Sequence, residues 1–162
     1  MKFYTIGHST KTFEEFLDLI KFFGIEIVID VRRFPSSKKF PWFNKESLEM
    51  LLKKNGIGYI HLEELGGYRE QGYLAYTKTN EFKKGIQKLE KICKKKKCVI
   101  MCSEWKWWKC HRRYIANELA KRGHKVFHIL TKERIEEHKI KSKYIQQKLK
   151  TTLRCDKIKK KS

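Results

Sequence analysis

Two thiols, a carboxylate, an imidazole and two guanidiniums fall in one short stretch of this chain: Cys102, Glu104, Cys110, His111, Arg112 and Arg113. The apolar run Val99-Ile100-Met101 stops at Cys102, and an amphipathic pattern opens at Cys110. The spacing predicts a strand, a loop and a helix, with the reactive groups where strand gives way to helix. In an open α/β sheet that edge is where ligands bind.

Several chemistries fit these residues. Cys102 is placed as a nucleophile whose loop amides would cradle an anion, or else as a small buried residue at a strand end. The loop after it is rich in tryptophan (Trp105, Trp107, Trp108), lacks glycine and has no arginine before Arg112. That is unlike the usual cradle of a thiol phosphatase. Cys110 at a helix start is better placed for a lowered thiol pKa, because the positive helix end, Arg112 and Arg113 all favour the thiolate. Alternatively Cys102 and Cys110 form a disulfide, or they join His8, His61 or His111 around a zinc ion. The paired Cys-x-x-Cys spacing of most zinc sites is absent. His111 and Arg112 project from a first helical turn, which suits a phosphate or carboxylate ligand. The competing role for Arg112 is a salt bridge to Glu104 or Asp30. Glu104 is a candidate general acid or base if burial raises its pKa.

Strand and helix patterns alternate along the rest of the chain. Phe3 to Ile6 reads as a strand ended by Gly7, and Phe13, Phe16, Leu17, Ile20 and Phe23 recur at helical spacing. Ile25 to Ile29 is a buried strand, Asn44 is placed to cap a helix that Gly56 ends, and Ile57 to Leu62 is a third strand. The stretch from Glu63 to Thr79, with Gly66, Gly67 and three tyrosines, is long enough to suggest a functional lid. A helix through Phe82, Ile86, Leu89 and Ile92 precedes the strand ending at Cys102, and Val126 to Leu130 is a fifth strand. The expected fold is α/β: a three-layer sandwich around a mainly parallel sheet of about five strands, Rossmann-like or flavodoxin-like. Residues 1–131 form one domain in this reading. Residues 132–162 form a basic C-terminal extension, with a further helix around Tyr144, Ile145 and Leu149 and a tail from Lys157 to Lys161.

All carboxyl ends of parallel strands share one edge. That edge would receive His8 and Ser9 from the first strand, Asp30 and Arg32 from the second, and His61 from the third. The Cys102 loop arrives from the fourth. His8, Asp30, His61, Glu104 and the two thiols are therefore the catalytic candidates. Asp30 could instead simply pair with Arg32. Ser9, Arg32, Gly66, Gly67, Tyr73, His111 and Arg112 are the candidates for binding substrate.

The 39 basic and 18 acidic residues leave a formal charge of +21. Such a surface attracts polyanions, so a nucleotide or nucleic acid is an expected partner. A lysine-rich thermophile surface would give the same count. The tryptophans could stack on bases or serve as packing. No apolar run approaches the roughly 20 residues that span a bilayer, so no membrane partner is expected. The N-terminal residues read as a strand and not as a signal peptide, which places the protein in the cytoplasm. The five cysteines do not look like a disulfide framework, and Cys93 and Cys98 read as structural.

Six motifs carry a family resemblance: Gly7-His8-Ser9-Thr10; Asp30-Val31-Arg32 with Pro35 and Ser37; Phe43-Asn44-Lys45; Tyr59-x-His61-Leu62-x-x-Leu65-Gly66-Gly67; Met101-Cys102-x-Glu104; and Cys110-His111-Arg112. In this order, over about Met1 to Leu130, they resemble domain of unknown function 488. The resemblance implies an α/β domain presumed to be enzymatic, of uncharacterised activity. The three loop tryptophans and the long basic end depart from the family pattern.

Overall fold

The structure, a computed structural model, describes residues 1–140. The elements in chain order are β1 (Lys2–Gly7), α1 (Phe13–Phe22), β2 (Ile27–Asp30), α2 (Lys45–Lys54), β3 (Gly58–His61), the single turn α3 (Tyr73–Tyr76), α4 (Asn80–Lys95), β4 (Cys98–Cys102), α5 (Arg112–Lys121), β5 (Lys125–Ile129) and β6 (Ile135–Glu137). The strands form one sheet in the order β3-β2-β4-β1-β5-β6. All neighbours are parallel except β5 and β6.

Alternation along each strand builds two cores. Ile27, Ile29, Cys98, Ile100 and Cys102 face one side, where α4 and α5 supply Phe82, Ile86, Leu89, Ile115 and Leu119. Val28, Val99 and Met101 face the other, against Phe13 and Phe16 of α1 and Leu48 and Leu52 of α2. The α/β sandwich with helices on both faces is thus the expected architecture. It also locates the crevice. The chain leaves β1 and β2 toward the α1/α2 face, and leaves β4 toward the α4/α5 face. Because β4 lies between β2 and β1, its carboxyl end is a topological switch point on both sides.

Local chemistry fixes the helix ends. Thr12 and Glu15 form a reciprocal capping box at the start of α1, worth about 1 kcal/mol. Asn44 occupies the cap position of α2 but makes no side-chain bond to that helix. Its Oδ1 instead accepts from the Ser37 N–H at 2.5 Å, which ties the preceding loop down. The helix expected from Cys110 starts two residues later, at Arg112, because Cys110 is held in an extended conformation.

Three features differ from the sequence reading. The sheet has six strands, because Ile135–Glu137 adds an antiparallel edge strand beyond the boundary at 131. The strand is short and charged, so it carries little hydrophobic pattern. Cys93 and Cys98 form a disulfide across the turn from α4 to β4. The stretch 63–79 is pinned at several points, for Tyr73 and Tyr76 donate their hydroxyls to the Leu65 and Glu64 carbonyls. The expected helix near Tyr144, the tail from Lys157 and Cys155 lie outside the described residues. Among the described residues no helix is long and apolar enough to cross a membrane.

Candidate active site

An open cavity of about 400 Å³ lies at the carboxyl edge of the sheet. Its lining includes Arg32, Arg33, Gly67, Cys102, Glu104, Lys109, Cys110 and His111. Three segments meet here: the loop after β2, the glycine pair after β3, and the loop joining β4 to α5. Small-molecule sites are commonly of this size.

The two thiols sit together. Cys102 Sγ lies 2.8 Å from Cys110 Sγ. Cys110 Sγ also lies 3.5 Å from His111 Nδ1 and accepts from the Arg112 backbone N–H at 3.5 Å. On the other side of the ring, His111 Nε2 is 2.7 Å from the Val31 carbonyl oxygen. A carbonyl only accepts, so Nε2 carries a hydrogen and Nδ1 is the nitrogen left to face the thiol. Nδ1 can therefore take the Cys110 proton and hold it as an imidazolium beside the thiolate. The hydrogen bond from Cys102, followed by the His111 contact and the Arg112 charge, holds the Cys110 thiol far below its ordinary range. Burial, and the hydrogen bond to Cys110 that Cys102 can donate only while protonated, push Cys102 the opposite way. One thiol is thus prepared as a thiolate and the other as its hydrogen-bond donor.

Arg112 is 1% exposed and does not line the cavity. Its guanidinium donates to Thr5 Oγ1 at 2.9 Å, and to the carbonyls of Glu104 and Trp105 at 2.5 and 3.3 Å. The salt bridge weighed in the sequence, to Glu104 or Asp30, does not form. Arg112 grips the backbone of the cysteine loop, and no carboxylate pairs with it among the described residues. A buried cation needs a compensating anion, and its charge is one of the influences that lower the Cys110 thiol toward the anionic form.

Arg32, 6% exposed, does line the cavity. Asp30 holds it: Nε donates to Oδ1 at 2.9 Å and Nη2 to Oδ2 at 2.7 Å. Asp30 also accepts the Arg32 N–H at 3.0 Å and the Tyr59 hydroxyl at 2.5 Å. Four donors occupy this fully buried carboxylate, and burial with the Asp30 charge pushes the Tyr59 phenol up. The remaining guanidinium nitrogen of Arg32, Nη1, is buried without a partner.

Every sequence candidate either lines the cavity or touches a residue that does. Arg32, Gly67, Cys102, Glu104, Cys110 and His111 line it. Asp30 and His61 hold Arg32, the latter through Nε2 at 2.7 Å from the Arg32 carbonyl oxygen. The backbone N–H groups of His8 and Ser9 donate to the Cys102 and Ser103 carbonyls, each at 2.9 Å. Tyr73 packs its ring on His111 at 5.2 Å between centroids. Glu104 is exposed, so the burial on which its acid–base role depended is missing. His8 stacks on Phe43 at 4.1 Å, its Nδ1 on the Ser9 carbonyl and its Nε2 buried without a partner.

Two close approaches explain glycines. A Cβ on Gly7 would fall 1.9 Å from the Glu104 carbonyl oxygen, so β1 and the cysteine loop can meet only at a glycine. A Cβ on Gly67 would lie 2.8 Å from His111 Nδ1. Gly66 meets the Arg33 backbone in the same way.

Residues outside the sequence candidates complete the framework. Arg112 donates to Thr5, which donates to His128 Nδ1 at 2.6 Å. His128 Nε2 donates to His138 Nδ1 at 3.0 Å, and His138 Nε2 donates to Asn117 Oδ1 at 2.7 Å. The amide end fixes every proton in this series. Trp107 covers it, stacked on His128 at 4.2 Å with an interplanar angle of 5°. The one sequence signal was a histidine at an inward position of β5. Trp108 remains exposed, at 39%. Among the described residues, no three His, Cys, Asp or Glu side chains converge as a metal site requires, so the zinc reading finds no ligand set.

No curated protein and no solved structure matches the chain. The family model described as domain of unknown function DUF488 matches residues 12–119, more than half of the chain, and the protein belongs to that family.

Proposed function

We propose that this protein is a thiol-dependent enzyme acting on a phosphate-bearing substrate, with Cys110 as nucleophile and Arg32 as the anion ligand. The observation that carries this reading is that Cys110, its sulfur within 3.5 Å of His111 Nδ1, and Arg32, whose Nη1 has no protein partner among the described residues, line one cavity. Asp30, Tyr59 and His61 position Arg32, and Arg112 positions the cysteine loop. Arg33 and Lys109 add positive charge to the lining, against the single carboxylate of Glu104. The exposed Trp108 ring next to Lys109 suits a nucleotide base.

In such a reaction the Cys110 thiolate attacks phosphorus, forming an S–P bond as the P–O ester bond breaks. The His111 imidazolium gives its Nδ1 proton to the departing oxygen. Water then cleaves the S–P bond, and His111 accepts its proton. A reducing compartment such as the cytoplasm keeps the thiols available for this chemistry.

Inorganic phosphate serves as the probe. It is expected to slow alkylation of Cys110 by iodoacetamide in the wild type, and to lose that protection in Arg32→Gln. Equal alkylation rates with and without phosphate, up to tens of millimolar, would contradict the anion site.

A further inference from the structure

We propose that Cys102 and Cys110 also work as a redox-active dithiol, reducing an anionic low-molecular-weight disulfide that enters the cavity and closing on each other as a disulfide. This rests on Cys110 being the nucleophile, and adds a second activity through Cys102.

The pair is asymmetric in its surroundings. Cys110 is 9% exposed and receives His111 and the Arg112 N–H, whereas Cys102 is 2% exposed at the end of β4. Among the described residues, the one polar contact of the Cys102 sulfur besides Cys110 is with the Glu104 carbonyl, at 3.6 Å. An incoming disulfide therefore meets an activated sulfur at Cys110 and finds a resolving thiol 2.8 Å away. A disulfide bond is about 2.05 Å long, so closure needs a movement of less than about 1 Å. Both cysteines belong to the cavity lining, with Arg32, Arg33 and Lys109 to attract negative charge.

The exchange balances. The Cys110 thiolate attacks one sulfur of RS–SR, forming Cys110–S–SR and releasing RS⁻, which takes the His111 proton. Cys102 then attacks Cys110 Sγ. Its proton leaves with the second RS⁻ as RSH, and the Cys102–Cys110 bond forms. The substrate disulfide is reduced to two thiols while the protein dithiol is oxidised, and an external dithiol must reduce the protein for another turn.

The test counts leaving groups. Reduced full-length protein carrying Cys155→Ser is freed of reductant and mixed with the anionic disulfide 5,5′-dithiobis(2-nitrobenzoate). Digestion and mass spectrometry then locate the links. The expected result is two thionitrobenzoate ions released from this site, no adduct, and a Cys102–Cys110 linked peptide. Cys102→Ser should release one from the site and retain the adduct on Cys110. A stable adduct on Cys110 with Cys102 present would overturn the dithiol while leaving the nucleophile intact. No reaction at Cys110 in either protein would overturn both readings.

Discussion

His111 Nε2 lies 2.7 Å from the Val31 carbonyl oxygen, a contact that spans the gap between β2 and α5 and sets which ring nitrogen meets Cys110. The carbonyl thereby acts as the orienting third member of a thiol–imidazole pair. His111→Ala removes one of the contacts that hold the thiol down, the others being Cys102 and Arg112. The midpoint of the pH dependence of Cys110 alkylation should therefore rise, and the rate at pH 6 should fall about tenfold for each unit by which that midpoint passes 6. An unchanged midpoint would show that His111 does not activate the sulfur.

Gly67 tests the same contact from the opposite side. Gly67→Ala places a carbon where the His111 ring now lies, 2.8 Å from Nδ1. The ring must shift while the sheet keeps its core, so reactivity at Cys110 should drop with about 1 kcal/mol of lost stability, the low end of the cost of overpacking. Chemical denaturation beside alkylation rates separates the two effects. A large stability loss would mean that Gly67 is needed for the fold.

Arg112 should behave as a structural residue with a catalytic consequence. Arg112→Met leaves the Thr5 hydroxyl and the Glu104 and Trp105 carbonyls without their donor. Removing a buried charged donor from such partners costs about 3 kcal/mol. Urea denaturation measures the loss. A variant as stable as wild type would show that the loop does not depend on this grip.

The three buried histidines give stability a pH dependence. Burial lowers His8 and His138 to about 4 and His128 to about 2, from an ordinary 6.5. Between pH 6.5 and 4 the unfolded chain binds protons that the folded one refuses. Their contribution is therefore full above 6.5 and falls as the pH drops, by up to about 1.4 kcal/mol per pH unit for each histidine kept neutral, with the same sign as the contribution of the depressed Cys110 thiol. Urea midpoints at pH 7, 5.5 and 4.5 should fall in that order, and less steeply in His138→Gln. A flat profile would mean that these side chains charge without unfolding the protein.

The rim at the carboxyl edge was legible in the sequence because parallel topology alone delivers the ends of four strands to one border. Strand length and apolar alternation sufficed to bring Asp30, His61 and Cys102 there. The roles within the rim were not legible, because they depend on side-chain direction. Arg112 looked like a ligand from its helix position, yet it turns inward to loop carbonyls. Arg32 looked like either a substrate ligand or half of an ion pair with Asp30; it forms the pair and still keeps one buried nitrogen free. The series from Thr5 to Asn117 joins residues far apart in the chain, and β6 is too short and charged to announce itself. The Cys93–Cys98 disulfide links a helix end to the strand start just beyond the turn, a closure visible only once both elements are placed.

The chemistry proposed for this site requires Cys110 to be a thiolate held by Cys102, His111 and Arg112. The pH dependence of its alkylation by iodoacetamide, followed by mass spectrometry on the Cys110 peptide, tests this most directly. A rate that stays on its plateau below pH 6, and loses it in Cys102→Ala, is the predicted result. A rate that rises through an ordinary thiol midpoint near about 8.5 in the wild type would contradict the account.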